Sequence, residues 1–214
     1  LDTTAVELFD ENNNPTGIQL LRESHTPNPR KELDFFPNSF GQIVMQLPNG
    51  NVETVFVEGP TRVEVVIPPE GTAGDSDGDG REQVATEITQ MELRGRSSMG
   101  QVLVHLNPMR RSFGEIEERV NNTPGKLDVS PFTQTGTADS FFDVFFEVVV
   151  TDPQGNVHVF HTNQAAQMRT TITHKPPTAG ETYVNPLPLE LVDQAGNLTG
   201  IRLLKEFHTP SPRL

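Results

Sequence analysis

Asp75-Ser76-Asp77-Gly78-Asp79-Gly80 places three carboxylates at alternate positions of one short run, with glycines that permit a sharp turn. Oxygen donors gathered this way suit a hard cation, and the chain has no Cys and no clustered His to hold a softer one. The spacing predicts a Ca2+ loop with Asp75, Asp77 and Asp79 as side-chain ligands, Arg81 offering its carbonyl, and Glu87 or Glu82 closing the sphere. It is not an EF-hand, because the twelfth position of that register is Thr86, Glu87 comes one residue later, and no helices flank the run. The alternative is a solvated acidic turn. A bound ion would stiffen the chain near residues 74–88.

Other residues with chemical potential are less organised. His158 and His161 are three apart, so on a strand they face opposite sides and share no metal. His25 and His208 each stand in a His-Thr-Pro, and His174 precedes Lys175-Pro176-Pro177; a hydrogen bond from imidazole to backbone is the expected role. Gly95 to Gly100 reads G-x-S-S-x-G, which departs from the nucleophile elbow G-x-S-x-G. Asp143 and Glu147 share one face of an apolar strand, with Phe145 between them. Paired surface acids are the commoner reading of such a pattern than a glycosidase dyad. No nucleophile, base and orienter assemble, so the chain is expected not to be an enzyme.

The elements that must position these groups repeat. Residues 6–31 (VELFDENNNPTGIQLLRESHTPNPRK) align without a gap on residues 189–214 (LELVDQAGNLTGIRLLKEFHTPSPRL), with 15 identities in 26 positions. Each copy reads as a β-hairpin, a short apolar strand followed by a polar turn and a second strand with a Pro-punctuated exit. A weaker match at an offset of 105 lays residues 35–52 over 140–157, including Pro48-x-Gly50-Asn51-Val52 over Pro153-x-Gly155-Asn156-Val157. A looser hairpin counterpart spans Met91 to Leu106.

Strand signals recur every 8–15 residues with polar turns between them. The reading is all-β: two tandem β-sandwich (Ig-like) domains at 1–83 and 84–183, the first ending in the calcium loop. The hairpin 184–214, homologous to 1–31, then opens a further repeat or is donated to a neighbour. One short helix is expected at Phe113 to Val120, capped by Ser112, and a long loop over 121–140.

Composition bounds the function. The 214 residues hold 34% hydrophobic side chains, 13 Phe and no Trp, enough for a modest β core. With 16 Lys and Arg against 29 Asp and Glu, the net charge of −13 argues against nucleic acid and anionic membranes as partners. No apolar run is long enough to insert in a membrane as a helix. The start at Leu1 rather than Met suggests a processed chain or a piece of a longer one.

Taken as a set, the His-Thr-Pro hairpin, DSDGDG, Asn121-Asn122-Thr123-Pro124-Gly125, TADSFFDVFFE (137–147) and THKPP (173–177) resemble the repeat unit of very long secreted bacterial surface proteins of uncharacterised function. That resemblance implies an extracellular or cell-surface location. The expected function is a calcium-stabilised structural repeat that assembles with copies of itself into fibres or a surface layer. In this reading Leu189, Leu191, Ile201 and Leu203 of the repeated hairpin, with His208 at its exit, enter a neighbour's sheet by strand addition. The alternative is an adhesin-type module in which residues 107–140 recognise a glycan or a surface protein.

Overall fold

The computed structural model describes residues 6–20, 29–69 and 71–210. Its strands are β1 (Val6–Phe9), β2 (Pro15–Leu20), β3 (Arg30–Gln46), β4 (Val52–Ile67), β5 (Gln83–Ser97), β6 (Gly100–Leu106) and β7 (Ser112–Glu118). They continue with β8 (Ala138–Val144), β9 (Phe146–Thr151), β10 (Val157–Thr162), β11 (Ala166–Ile172), β12 (Tyr183–Asn185), β13 (Leu189–Asp193) and β14 (Leu198–Thr209). Valine, isoleucine and phenylalanine alternate with polar residues along these runs, so each strand has one apolar face to bury.

That burial is achieved by closing the sheet on itself. Strands β6 and β7 both pair antiparallel with β5 and together act as one interrupted strand. In the same way β8–β9, β10–β11 and β12–β13 are single strands broken at Phe145, at residues 163–165 and at residues 186–188. The resulting eight long strands each pair with the next in sequence, and β14 pairs with β3 to complete the ring. The molecule is therefore an up-and-down antiparallel barrel, an architecture that leaves no exposed edge in the ring.

All-β is thus the observed class, but two tandem sandwiches are not found as separate units. β4 and β5, on either side of the expected boundary at 83/84, pair from Val57↔Gly95 to Val66↔Ala85. One hydrophobic cluster runs from Phe36 to Leu203. The internal match has a different meaning: adding 105 to the bounds of β4 gives 157–172, the start of β10 and the end of β11. Likewise, the end of β3 at Gln46 maps onto the end of β9 at Thr151. The duplicated unit is half a barrel.

The helix expected at Phe113 to Val120 is also corrected. Residues 112–118 form β7, in register with β5 and β8, because Ile116 and Glu118 alternate inward and the strand slots between two partners. The long loop is present, spanning 119–137.

The two ends of the barrel differ. Short connections at residues 47–51, 98–99, 152–156 and 194–197 close one end, several with an aspartate or asparagine side chain holding the turn. The other end carries the long connections 68–82, 119–137 and 173–182. Leu127 and Val129 of the middle one are fully buried in the core cluster. Buried carboxylates fix it: Glu118 accepts the Asp128 N–H at 2.7 Å and the Glu82 N–H at 3.0 Å, and Glu82 accepts the Gly125 N–H at 2.6 Å.

Close backbone approach requires glycine at position 59, which has φ +154° and lies where a Cβ would come within 2.0 Å of the Glu92 carbonyl oxygen. Gly59→Ala is expected to destabilise the barrel by about 2–4 kcal/mol, read as a lower urea midpoint. An unchanged midpoint would show that β4 and β5 are not so tightly apposed.

Candidate functional site

The acidic run lies in the connection 68–82, exposed at the long-loop end. Asp75, Asp77 and Asp79 are brought together, with one carboxylate oxygen of each within 4.8 Å of the others. Asp75 accepts the N–H groups of Gly78 (2.6 Å) and Gly80 (3.0 Å). Asp79 accepts both the backbone N–H of Arg81 (2.9 Å) and its guanidinium (2.8 Å), which hold its carboxyl below the usual range. The Arg81 guanidinium also pairs with Glu117.

Glu82 and Glu87 do not join the triad. The Glu82 side chain is buried and turned to Gly125, while Glu87, on β5, pairs with Arg111 at 2.7 Å. Their places in the expected sphere follow from count along the chain alone. Pairing of β5 with β7 instead points Glu87 along the barrel wall.

The repeated hairpin is the second expected site. β13 and β14 are integral to the ring, between β10 and β3. Leu189, Leu191, Ile201 and Leu203 are buried in this chain's own core. Hydrogen bonding on both flanks leaves that hairpin no free edge.

Inside the barrel the two halves are filled differently. Near the tight turns Met45, Val55, Val148, Leu191 and Leu203 are each at most 1% exposed and pack solidly. Beneath the long loops a chamber of about 80 Å³ remains, walled by all eight long strands. Ile43, Val63, Ile116, Phe142 and Met168 give it an apolar lining. An eight-stranded barrel is just wide enough to be filled by side chains or to hold one small ligand.

Into this lining project Glu206, His208, Tyr183, Thr61 and Asp34. A bulge in β14 aims the first two. Leu203 stands opposite Met45, but the register then shifts, so that Lys205 faces Val44, Glu206 faces Ile43 and His208 faces Gly41. Strict alternation from Ile201 and Leu203 would have turned Lys205 and Phe207 inward. One extra residue re-aims the strand, as β-bulges do beside functional sites.

Glu206 is 5% exposed. Its Oε2 accepts from Asn185 Nδ2 at 2.5 Å, and Asn185 is itself fixed by donating to the Leu187 carbonyl at 3.0 Å. Oε1 of Glu206 and Oγ1 of Thr61 are buried without a hydrogen-bond partner among the described residues. Burial pushes the Glu206 carboxyl up to about 7, only partly offset by Asn185. Burial also pulls His208 down to about 4, leaving a neutral imidazole near neutrality.

Tyr183 is raised by burial and its hydroxyl lies 2.8 Å from that of Ser140. Asp34 is raised by burial against the opposing effect of Lys175, a 3% exposed lysine that pairs with Glu32 at 2.5 Å and reaches Asp34 at 3.4 Å. The chamber thus combines an apolar wall with a carboxyl that exchanges its proton near neutral pH.

Of the remaining residues read from sequence, His158 lies 3.5 Å from Asp152, and His174 Nδ1 lies 3.0 Å from the Pro176 carbonyl. Asp143 and Glu147 are partly exposed on the barrel wall, and Glu147 reaches His105 at 3.6 Å. His25 lies outside the described residues. Glu206 was missed, although a signal existed: an unbroken strand from Ile201 would have buried Lys205 in an apolar interior.

No family model matches the chain, and no curated protein matches it. Among solved structures it is similar to DynF from the dynemicin biosynthesis pathway of Micromonospora chersina, with a TM-score of 0.59 at 17% identity over 88% of this chain and 83% of that one. The likeness is one of fold. The expectation that the chain is not an enzyme is given up, since a protein of a biosynthetic pathway shares this fold; the fold by itself assigns no activity.

Proposed function

We propose that the barrel binds a compact lipophilic molecule carrying one hydrogen-bond acceptor, such as a carbonyl, with Glu206 as the group that recognises it. The observation that carries this reading is the buried Oε1 of Glu206, unpartnered among the described residues, in a largely apolar chamber. Below about pH 7 the carboxyl is protonated and can donate a hydrogen bond, while the apolar wall supplies the hydrophobic contribution. A carboxyl poised near neutrality is also suited to give or take a proton at the bound carbonyl. The neutral His208, two residues on, lies in the same lining.

Size limits the ligand. The chamber is roughly half the ~150 Å³ that admits benzene, so a short-chain carbonyl fits it as it stands and a single small ring only when the lining yields. Met91 and Met168 in the lining are the flexible side chains that must move to admit a ring such as cyclopentanone. Cyclopentanone is a suitable probe.

Saturating cyclopentanone is expected to raise the melting temperature by mass action. Ala166 lines the chamber and is 1% exposed, so Ala166→Phe would fill the space. The variant is expected to lose the ligand-dependent rise. An equal rise in both proteins, or none in the parent, would reject the reading.

A further inference from the structure

The N-terminal hairpin is a conformational replica of the hairpin that closes the barrel. Subtracting 183 from the β13–β14 pairs Leu189↔Leu203, Glu190↔Arg202 and Val192↔Leu198 gives Val6↔Leu20, Glu7↔Gln19 and Phe9↔Pro15, the observed pairs of β1 and β2. The register shift falls at the same place. The turns match as well: Asp10 Oδ1 accepts from the N–H groups of Asn12 (2.9 Å) and Asn14 (2.8 Å), and Asp193 Oδ1 from those of Ala195 (2.9 Å) and Asn197 (2.8 Å). Gly17 and Gly200 have φ values of +72° and +74°.

Yet among the described residues β1 and β2 form a two-stranded sheet of their own, whereas β13 and β14 are paired on both flanks. Isolated two-stranded hairpins are marginal in water. At the positions matching the buried Leu189, Leu191, Ile201 and Leu203 the copy carries Val6, Leu8, Ile18 and Leu20, side chains suited to the same core.

The hairpin cannot close the barrel that follows it. In the β14 register Thr209 lies opposite Phe40, so the matching Thr26 would also fall there. Three residues separate Thr26 from Arg30, four Cα-to-Cα steps with a reach of about 14 Å. Arg30 lies ten residues along β3 from Phe40, roughly 30 Å away, and is paired with Ile67 of β4.

We propose that β1–β2 is an exchangeable closing hairpin that fills the β13–β14 position of a second barrel of this same kind, lying beside that barrel's β3. The second barrel is recognised by the backbone edges of β3 and β10 and by the pockets that Leu189, Leu191, Ile201 and Leu203 occupy here. This inference does not depend on what the chamber binds.

The absence of cysteine permits a direct test on the full chain. Arg202 pairs with Gln46, so the matching Gln19 should reach Gln46 of another copy. Two proteins, both carrying Ile201→Asp and Leu203→Asp to weaken their own closing hairpin, receive Gln19→Cys and Gln46→Cys respectively and are mixed under oxidation. Intermolecular disulfide is expected, in several-fold excess over a control with Gln42→Cys, which is off register. Equal yields would overturn the proposal.

Should the Asp variants fail to fold, the single-cysteine proteins with intact hairpins are refolded together from urea. The Gln19–Gln46 cross-link is expected to increase with protein concentration and to disappear with Ile18→Asp and Leu20→Asp. A yield unaffected by those substitutions, or no cross-link at all, would overturn it equally.

Discussion

At pH 8 the Glu206→Gln variant is expected to be more stable than the parent, by on the order of 3 kcal/mol, and at pH 4.5 the two should nearly coincide. The Glu206 carboxyl rises from 4.5 in the unfolded chain to about 7 in the barrel because it is buried among apolar side chains. A raised carboxyl means that the folded state holds its proton more tightly. Its favourable contribution is therefore complete below the unfolded value and is lost as the pH rises through the folded one. Glutamine does not ionise, so the variant lacks that loss between about pH 4.5 and 7.

His208 has the opposite sense. Its folded value near 4 favours the neutral ring, so stability falls as the pH drops from about 6.5 towards 4. Parent and variant share this effect, and it cancels in their difference. Urea unfolding at a series of pH values measures that difference directly. Parallel curves across the window would mean that Glu206 is solvated and the chamber open to water.

The second large effect separates the two hairpins. Leu203 is fully buried in the closing strand, and Leu203→Ala is expected to destabilise the barrel by about 2–5 kcal/mol. Leu20, its counterpart in β2, belongs to a sheet that pairs only with itself among the described residues, so Leu20→Ala should leave barrel unfolding unchanged. Equal losses from the two substitutions would contradict the assignment of β13–β14 as the closing pair.

The sequence made the β class, the hairpin copies and the half-barrel duplication legible, because alternation and Gly-Asn turns are local properties. Closure was not legible. A duplicated four-stranded unit can seal its edges within itself, as a sandwich, or against its twin, as a barrel, and both give the same alternation. What decides here is β3 and β4, paired from Arg30↔Ile67 to Gln46↔Val52, long enough to span both halves of the interior.

The helix at Phe113 to Val120 failed for the related reason that tertiary pairing outweighs local propensity. The acidic triad was readable because its three members lie within one turn. The chamber was not, since its lining comes from residues as distant as Asp34 and His208. Glu206 could have been suspected from one conflict: alternation from Leu203 buries Lys205, and a bulge that spares the lysine turns the glutamate inward.

The claim that the barrel interior receives a small lipophilic carbonyl is tested most directly by methyl NMR of the five methionines during titration with cyclopentanone at pH 6. Met91 and Met168 line the chamber, while Met109 is 89% exposed on the 107–111 connection. Saturable shifts of the Met91 and Met168 methyls, an unmoved Met109, and weaker binding at pH 8.5, where Glu206 has lost its proton, are expected. Shifts centred on Met109, or chamber methyls that do not respond, would contradict it.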